Sequence, residues 1–278
     1  MEAILLALAA SLLWGGSDFG GGVMAQRRSA YAVVAAVQGV GLLSITVVAL
    51  ATGGFAIDGP WLRWGVMSGA MVGVALVCLY AALASGTMGV VSPIAALGAI
   101  VPFTIGLLTG DDPTSLALIG AVLALAGAVL ASGPELSGGA SARPVILAAV
   151  AGVLFGLALI TIAKGSEHSA VMTLWALRLT SVTALGAILI ATRTTGGLSR
   201  SDALPLLVIG LGDVFANLAM ALATQRGYVS IVAVLSSLYP VVTVFLAWLF
   251  LKERMLRIQQ IGVAFALLGV ALVSVGQV

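Results

Sequence analysis

The chain has 278 residues, of which 61% are hydrophobic and 8% are charged, and its formal net charge is +2. Soluble domains carry about a quarter of charged residues, so this composition excludes a soluble globular protein and requires lipid as the solvent. So few charges also give no reason to expect a nucleic-acid partner. The single cysteine, Cys78, and the single histidine, His168, cannot form an internal disulfide or a multi-ligand metal centre. We therefore expect no metal and no cofactor.

Ten apolar runs, each close to the roughly 20 residues that cross a bilayer, predict an all-α integral membrane protein with ten transmembrane helices. Continuous apolar character, without alternation, argues against a β-barrel. The first run lacks a basic leader and a cleavage motif, so we expect a retained helix and a mature chain that starts at Met1. The predicted spans are residues 3–23, 31–51, 61–84, 89–109, 115–132, 144–163, 171–191, 203–224, 228–251 and 257–276.

Two blocks of sequence occur twice, in the same order. Residues 89–102 align with 227–240, and residues 119–132 align with 261–274. The matched positions include glycine, serine and proline, so the similarity exceeds shared apolar character. Five spans per copy is an odd number, which means that the second copy must enter the membrane in the opposite orientation.

The repeat predicts the domain organisation and a central cavity. We expect a first repeat over residues 1–132, a linker rich in Gly and Ser over 133–143, and a second repeat over 144–278. Two inverted halves can rock about a central site, as alternating access requires. Pro102 and Pro240 lie at matched depths in the fourth and ninth spans, where a proline kink can expose backbone polar groups to a cavity. A kink that serves packing alone is an equal alternative.

Three stretches of the sequence together are typical of a known family. They are Leu12-Leu13-Trp14-Gly15-Gly16-Ser17, the stretch from Ala82-Leu83-Ala84-Ser85-Gly86 to Pro102 with its copy ending at Pro240, and Leu251-Lys252-Glu253-Arg254 followed by Gln260-Ile261-Gly262. By these residues the chain resembles the EamA-type ten-helix branch of the drug/metabolite transporter superfamily. One departure is visible, because the loop Gly110-Asp111-Asp112 stands where the second half has Lys252-Glu253-Arg254. The resemblance implies a secondary carrier or exporter of metabolites such as amino acids, in the bacterial inner membrane, with a cavity lined mainly by spans one, three, four, six, eight and nine.

Three ionisable residues lie inside predicted spans: Asp18, Arg178 and Asp213. Charges inside a bilayer are costly and often mark functional sites. Asp213 is the best single candidate for substrate binding, because Asn217 follows one turn later on the same helix face. Asp18 is either a second binding carboxylate or an interfacial one near a helix end. Arg178 is expected to pair with Asp213 or Asp18, which favours a structural ion pair over a binding role.

Proton coupling and aromatic contacts complete the predicted site. A carboxyl group buried away from Arg178 can carry a proton, so proton-coupled exchange is a hypothesis. Trp14, Tyr80 and Tyr239 fall within spans and can line an organic pocket, although ordinary packing is the more frequent role. Gln38 is expected to pack against a neighbouring helix.

Orientation and function class leave alternatives open. Eight of the 12 Lys and Arg residues lie in odd connections and three in even ones, which favours termini outside, whereas the family resemblance favours termini inside. The rivals to a carrier are a membrane-embedded enzyme, with Asp111-Asp112 as a metal or diphosphate site, and a channel or scaffold. The lack of a second acidic cluster and the scattered polar positions favour a non-enzymatic carrier. We expect a monomer or weak homodimer whose partners are lipid and a small-molecule substrate.

Overall fold

The structure, a computed structural model, describes residues 1–85, 91, 94–131, 142–251 and 257–276. Within these ranges the regular elements are all helical, as predicted. The predicted linker 133–143 falls largely outside the described residues, as does the loop Lys252-Glu253-Arg254. The helices are α1 (Glu2–Ala25), α2 (Ala30–Ala51), α3 (Trp61–Ser85), α4 (Ile100–Leu108), α5 (Ser115–Ala131), α6 (Ala142–Thr192), α7 (Ala203–Thr224), α8 (Val229–Ser236), α9 (Tyr239–Leu251) and α10 (Arg257–Gly276).

Many of these helices have the length and composition of membrane spans. Within the described residues, six segments are long and apolar enough to cross a bilayer: Glu2–Ala25, Ala30–Ala51, Trp61–Ser85, Ala142–Thr192, Arg200–Thr224 and Val229–Phe250. Three shorter apolar helices accompany them: Ile94–Leu108, Ser115–Leu130 and Gln260–Val273. Large apolar side chains such as Leu108 and Ile190 are about four-fifths exposed on the outside of the bundle. Such an exterior suits hydrocarbon rather than water.

Helix α6 is broken at one residue. A straight helix of 51 residues would be about 77 Å long, far more than a hydrocarbon core of about 30 Å. Ser169 has extended backbone angles (φ −162°, ψ 111°) and divides α6 into arms at 142–168 and 170–192. Its Oγ accepts the N–H of Met172 at 3.2 Å and so caps the second arm. The sequence predicted a loop over residues 164–169, but most of that loop is helical.

The fourth and ninth predicted spans are interrupted at matched places. A 3₁₀ turn at Leu97–Ala99 precedes α4, and α8 ends at Ser236 before α9 begins. Pro102 is the third residue of α4, and Pro240 is the second residue of α9. A proline in the first turn of a helix loses no intrahelical bond of its own, so the interruption precedes each proline rather than centring on it.

Helices α5 and α10 cross at the matched glycines of the second repeated block. A Cβ atom built on Gly120 would lie 2.7 Å from the carbonyl oxygen of Gly269. One built on Gly127 would lie 2.7 Å from the carbonyl oxygen of Gly262. These distances leave no space for a side chain, so the two backbones are in direct contact. The early glycine of each copy meets the late glycine of the other, which means that α5 and α10 run antiparallel.

Polar contacts between connections gather at two ends of the helix bundle. At the end that we call the first, Glu2 pairs with Arg226 (Oε2 to Nε 3.2 Å), and the hydroxyl of Thr114 donates to the carbonyl of Gly276 at 2.7 Å. At the second end, Arg28 pairs with Asp202 (Nε to Oδ2 3.1 Å). The amide of Ser29 also donates to the carbonyl of Gly196 there, at 2.9 Å.

Candidate functional site

A cavity of about 70 Å³ lies in the interior of the bundle, between α1, α3, α6, α7 and the interrupted segments before α4 and α9. It has room for roughly five water molecules. Most of its wall is apolar, from residues such as Val72, Leu76 and Phe155. The polar and aromatic side chains in the wall are Trp14, Asp18, Asp213, Asn217, Ser236, Ser237 and Tyr239.

Asp213 and Asn217 lie one turn apart in α7 and present their side chains to the cavity together. The Nδ2 of Asn217 donates to the backbone carbonyl of Asp213 at 2.8 Å and to its Oδ1 at 3.3 Å. Both residues are buried in the bundle. The amide therefore orients the carboxylate, and the two side chains share one helix face, as residues at i and i+4 do.

Arg178 approaches Asp213 from behind the cavity wall. Its Nη1 lies 2.5 Å from Oδ2 of Asp213, and its side chain is fully buried. No guanidinium nitrogen makes an aligned hydrogen bond within the described residues, so charge, rather than hydrogen-bond geometry, holds the pair together. Gly41 makes room for the arginine, because a Cβ at Gly41 would lie 3.0 Å from its Nε. Arg178 thus neutralises Asp213 without reaching the cavity.

Asp18 is the second carboxylate in the cavity wall, and it is partly exposed there. The structure places no cation against it among the residues that it describes. Two hydrogen bonds join its helix, α1, to the helices α7 and α9. The Oγ of Ser17 donates to the carbonyl of Ile209 in α7 at 3.1 Å, and the Oγ1 of Thr243 in α9 donates to the carbonyl of Gly15 at 3.2 Å.

The interruption between α8 and α9 contributes two hydroxyl groups that the sequence analysis did not single out. Ser236 donates to the carbonyl of Val232 at 2.7 Å, and Ser237 donates to that of Val234 at 2.8 Å. Their signal in the sequence was the pair of adjacent serines just before Tyr239 within an otherwise apolar span. A serine hydroxyl can donate to a backbone carbonyl of its own helix, so serines are tolerated inside membrane spans. Their presence in a span therefore does not by itself indicate a binding site.

The residue four positions before each of the two matched prolines lines the cavity. Gly98 and Ser236 each lie four residues before a proline, at Pro102 and Pro240, and both line the cavity. Proline has no N–H, so neither carbonyl receives the helical hydrogen bond from the residue four positions later. The N–H of Ile100 is directed at the carbonyl of Gly98 instead.

Two other polar residues from the sequence analysis lie away from the cavity. Tyr80 is buried in α3 against Gly21, where an added Cβ would overlap its ring, and it does not line the cavity. Gln38 is fully buried in α2, and both of its side-chain polar atoms lack a hydrogen-bond partner within the part of the chain that the structure describes.

Asp111 has a structural role at the first end of the bundle. Its Oδ2 accepts the backbone N–H of Ser230, in the first turn of α8, at 2.8 Å. A carboxylate at this position satisfies a free helix N–H and complements the helix dipole. The rival enzyme interpretation, which the sequence disfavoured, had a metal or diphosphate site at Asp111 and Asp112. The structure shows the Asp111 carboxylate bound to the N-terminal turn of α8.

A comparison with family models gives a match to the second half of the chain. Residues 142–275 match the EamA-like transporter family. Together with the apolar helices, this match indicates a multi-pass membrane protein of the drug/metabolite transporter kind, in agreement with the class that the resemblance implied.

The chain is also similar to one solved structure and to one protein sequence, and neither of them has a stated function. A crystal structure described only as that of a protein matches the fold with a TM-score of 0.81 and 19% identity, over 98% of this chain and 96% of the other. Uncharacterized protein MJ1333.1 of Methanocaldococcus jannaschii is 40% identical over 62 residues, which is 22% of this chain. The chain spans less than half (45%) of the length of that relative. The fold shared with that crystal structure thus covers both halves of the chain, whereas the family match lies in the second half.

Proposed function

We propose that the chain is a secondary transporter of a small organic metabolite, such as an amino acid, that works by alternating access in the cell membrane. The observation that carries this proposal is the cavity beside Asp18 and Asp213. The cavity lies inside a bundle of apolar helices, and two carboxylates inside a membrane protein are costly unless they serve a function. An apolar pocket with a few convergent polar groups is typical of a small-molecule site.

Ten spans in two inverted halves are the arrangement that best supports this function. The antiparallel crossing of α5 and α10 is what two inverted copies of one block require. The matched interruptions before Pro102 and Pro240 place irregular backbone where it lines a cavity rather than lipid. The two arms of α6 are each long enough to serve as one span.

Cysteine labelling tests this topology. In a Cys78→Ser background, we expect Glu2→Cys and Arg226→Cys to react with an impermeant thiol reagent from one face of the membrane. Arg28→Cys and Ser201→Cys should react only from the opposite face, because their connections meet at the second end. A first-end and a second-end position that react from the same face would contradict the ten-span arrangement.

Asp18 is the group that we propose for proton coupling. Asp213 already has its countercharge in Arg178, whereas Asp18 faces the cavity without a cation among the described residues. A carboxylate in that position can exchange a proton for a substrate when the cavity opens to one face. Exchange of this kind requires the cavity to open to the two faces in turn.

Counterflow in proteoliposomes tests the transporter function. Vesicles preloaded with one unlabelled compound from a panel of amino acids and small amines should accumulate the labelled compound, with and without a pH gradient. Asp213→Asn should abolish the flux, whereas Asp18→Asn should remove its response to the pH gradient. Asp58→Asn, the same change in an exposed loop, is the matched control. A conductance without counterflow would favour a channel, and no flux for any compound would oppose transport.

A further inference from the structure

The charges around the cavity do not cancel. Asp18 and Asp213 both line it, whereas the nearest cation, Arg178, forms a close ion pair with Asp213. If the pair counts as neutral, the carboxylate of Asp18 gives the cavity one excess negative charge. The wall presents no Lys or Arg side chain among the described residues to which a substrate carboxylate could bind.

The remaining polar groups in the wall also favour a cation. The hydroxyl groups of Ser236 and Ser237 and the amide of Asn217 already donate to backbone or carboxylate oxygens. These three side chains are therefore engaged within the protein and are not free donors for an anion. Trp14 and Tyr239 supply aromatic rings, which attract ammonium groups through their faces.

From these charges we infer that the substrate is an organic cation, a protonated amine with a small apolar body, and that its ammonium group binds Asp18. The inference rests on the proposed transport function and narrows its substrate class from small organic metabolites to amines without a carboxylate, which excludes amino acids. The apolar body would occupy the part of the cavity beside Val72 and Phe155, while the ammonium replaces a proton on Asp18. The ion pair of Arg178 and Asp213 shapes the wall but does not set the sign of the preferred substrate.

A charge series separates this inference from the transport function. Calorimetric titration of the purified protein in detergent, at neutral pH, would compare 2-phenylethylamine with 2-phenylethanol, phenylacetate and phenylalanine, and butylamine with 1-butanol and butanoate. We expect each amine to bind about tenfold or more tightly than its alcohol. We expect no measurable binding of phenylacetate, butanoate or phenylalanine, each of which carries a carboxylate. Binding needs no transport, so failure of the series and failure of counterflow are distinguishable results.

Two variants test whether Asp18 is responsible. Asp18→Asn should bind the amines no more tightly than the alcohols. The double variant Arg178→Gln/Asp213→Asn removes the ion pair as a unit and should keep the preference for amines over alcohols, because the excess charge on Asp18 persists. Asp58→Asn should match the unmodified protein. Equal binding of amines and alcohols by the unmodified protein, tighter binding of the acids, or an amine preference that survives Asp18→Asn would each overturn the inference.

Discussion

Substitution of Arg178 and substitution of Asp213 are expected to destabilise the protein by different amounts, although the two residues form one buried ion pair. Arg178 is fully buried and lies behind the cavity wall, whereas the side chain of Asp213 is 9% exposed and lines the cavity. Removing one partner of a buried pair costs about 3–5 kcal/mol because the other charge is left without compensation. We therefore expect Asp213→Asn, which strands the buried guanidinium, to destabilise the protein more than Arg178→Gln does.

The assay is thermal unfolding of the two single variants and the double variant, purified in the same detergent. At about 2–4 °C per kcal/mol, a loss of this size lowers the midpoint by about 6–20 °C for Asp213→Asn. The double variant Arg178→Gln/Asp213→Asn should lie closer to the unmodified protein than Asp213→Asn does, since no charge is stranded. Strictly additive effects of the two substitutions, or an equal effect of each, would refute the reasoning.

Three further substitutions test contacts elsewhere in the fold, each by its unfolding midpoint in detergent. Gly127→Ala should cost about 1–3 kcal/mol because its Cβ meets the backbone of α10, whereas Gly186→Ala, with open space around it, should be neutral or slightly stabilising. Asp111→Ala should cost about 0.5–2 kcal/mol through the loss of the bond to α8, and Asp112→Ala, at an exposed neighbour, should cost less. Ser17→Ala should cost about 1 kcal/mol, and no change would mean that its bond to α7 contributes nothing.

The helices were predictable because lipid imposes a simple rule on composition. Long apolar runs between polar connections gave α1, α2, α3 and α7 with boundaries within a few residues. The search for apolar runs did not predict the interruption between Ser236 and Tyr239, because hydropathy does not distinguish one continuous helix from two short ones. It also placed a loop where α6 stays helical almost to Ser169, since a helix can extend past the hydrocarbon into the interface.

The candidate site was predictable for charged groups and less so for neutral ones. Asp18 and Asp213 were recognisable because charge is rare inside a membrane, and the structure brings both to one cavity. Whether Arg178 would meet Asp18 or Asp213 depends on how the helices pack around one another, which no local pattern records. Ser237 was missed because a serine bonded to its own helix resembles any other small residue of a span. The roles of these residues in binding stay predictions.

Accessibility of the cavity from each face of the membrane tests the central claim most directly. Ser237→Cys, in a Cys78→Ser background, places a single thiol in the cavity wall, and an impermeant thiol reagent can be applied to either face of oriented vesicles. The account predicts that the thiol reacts from both faces, that a bound substrate slows both reactions, and that the reagent does not cross into the lumen. A thiol that reacts from neither face, or a reagent that passes freely through the protein, would contradict a carrier that works by alternating access.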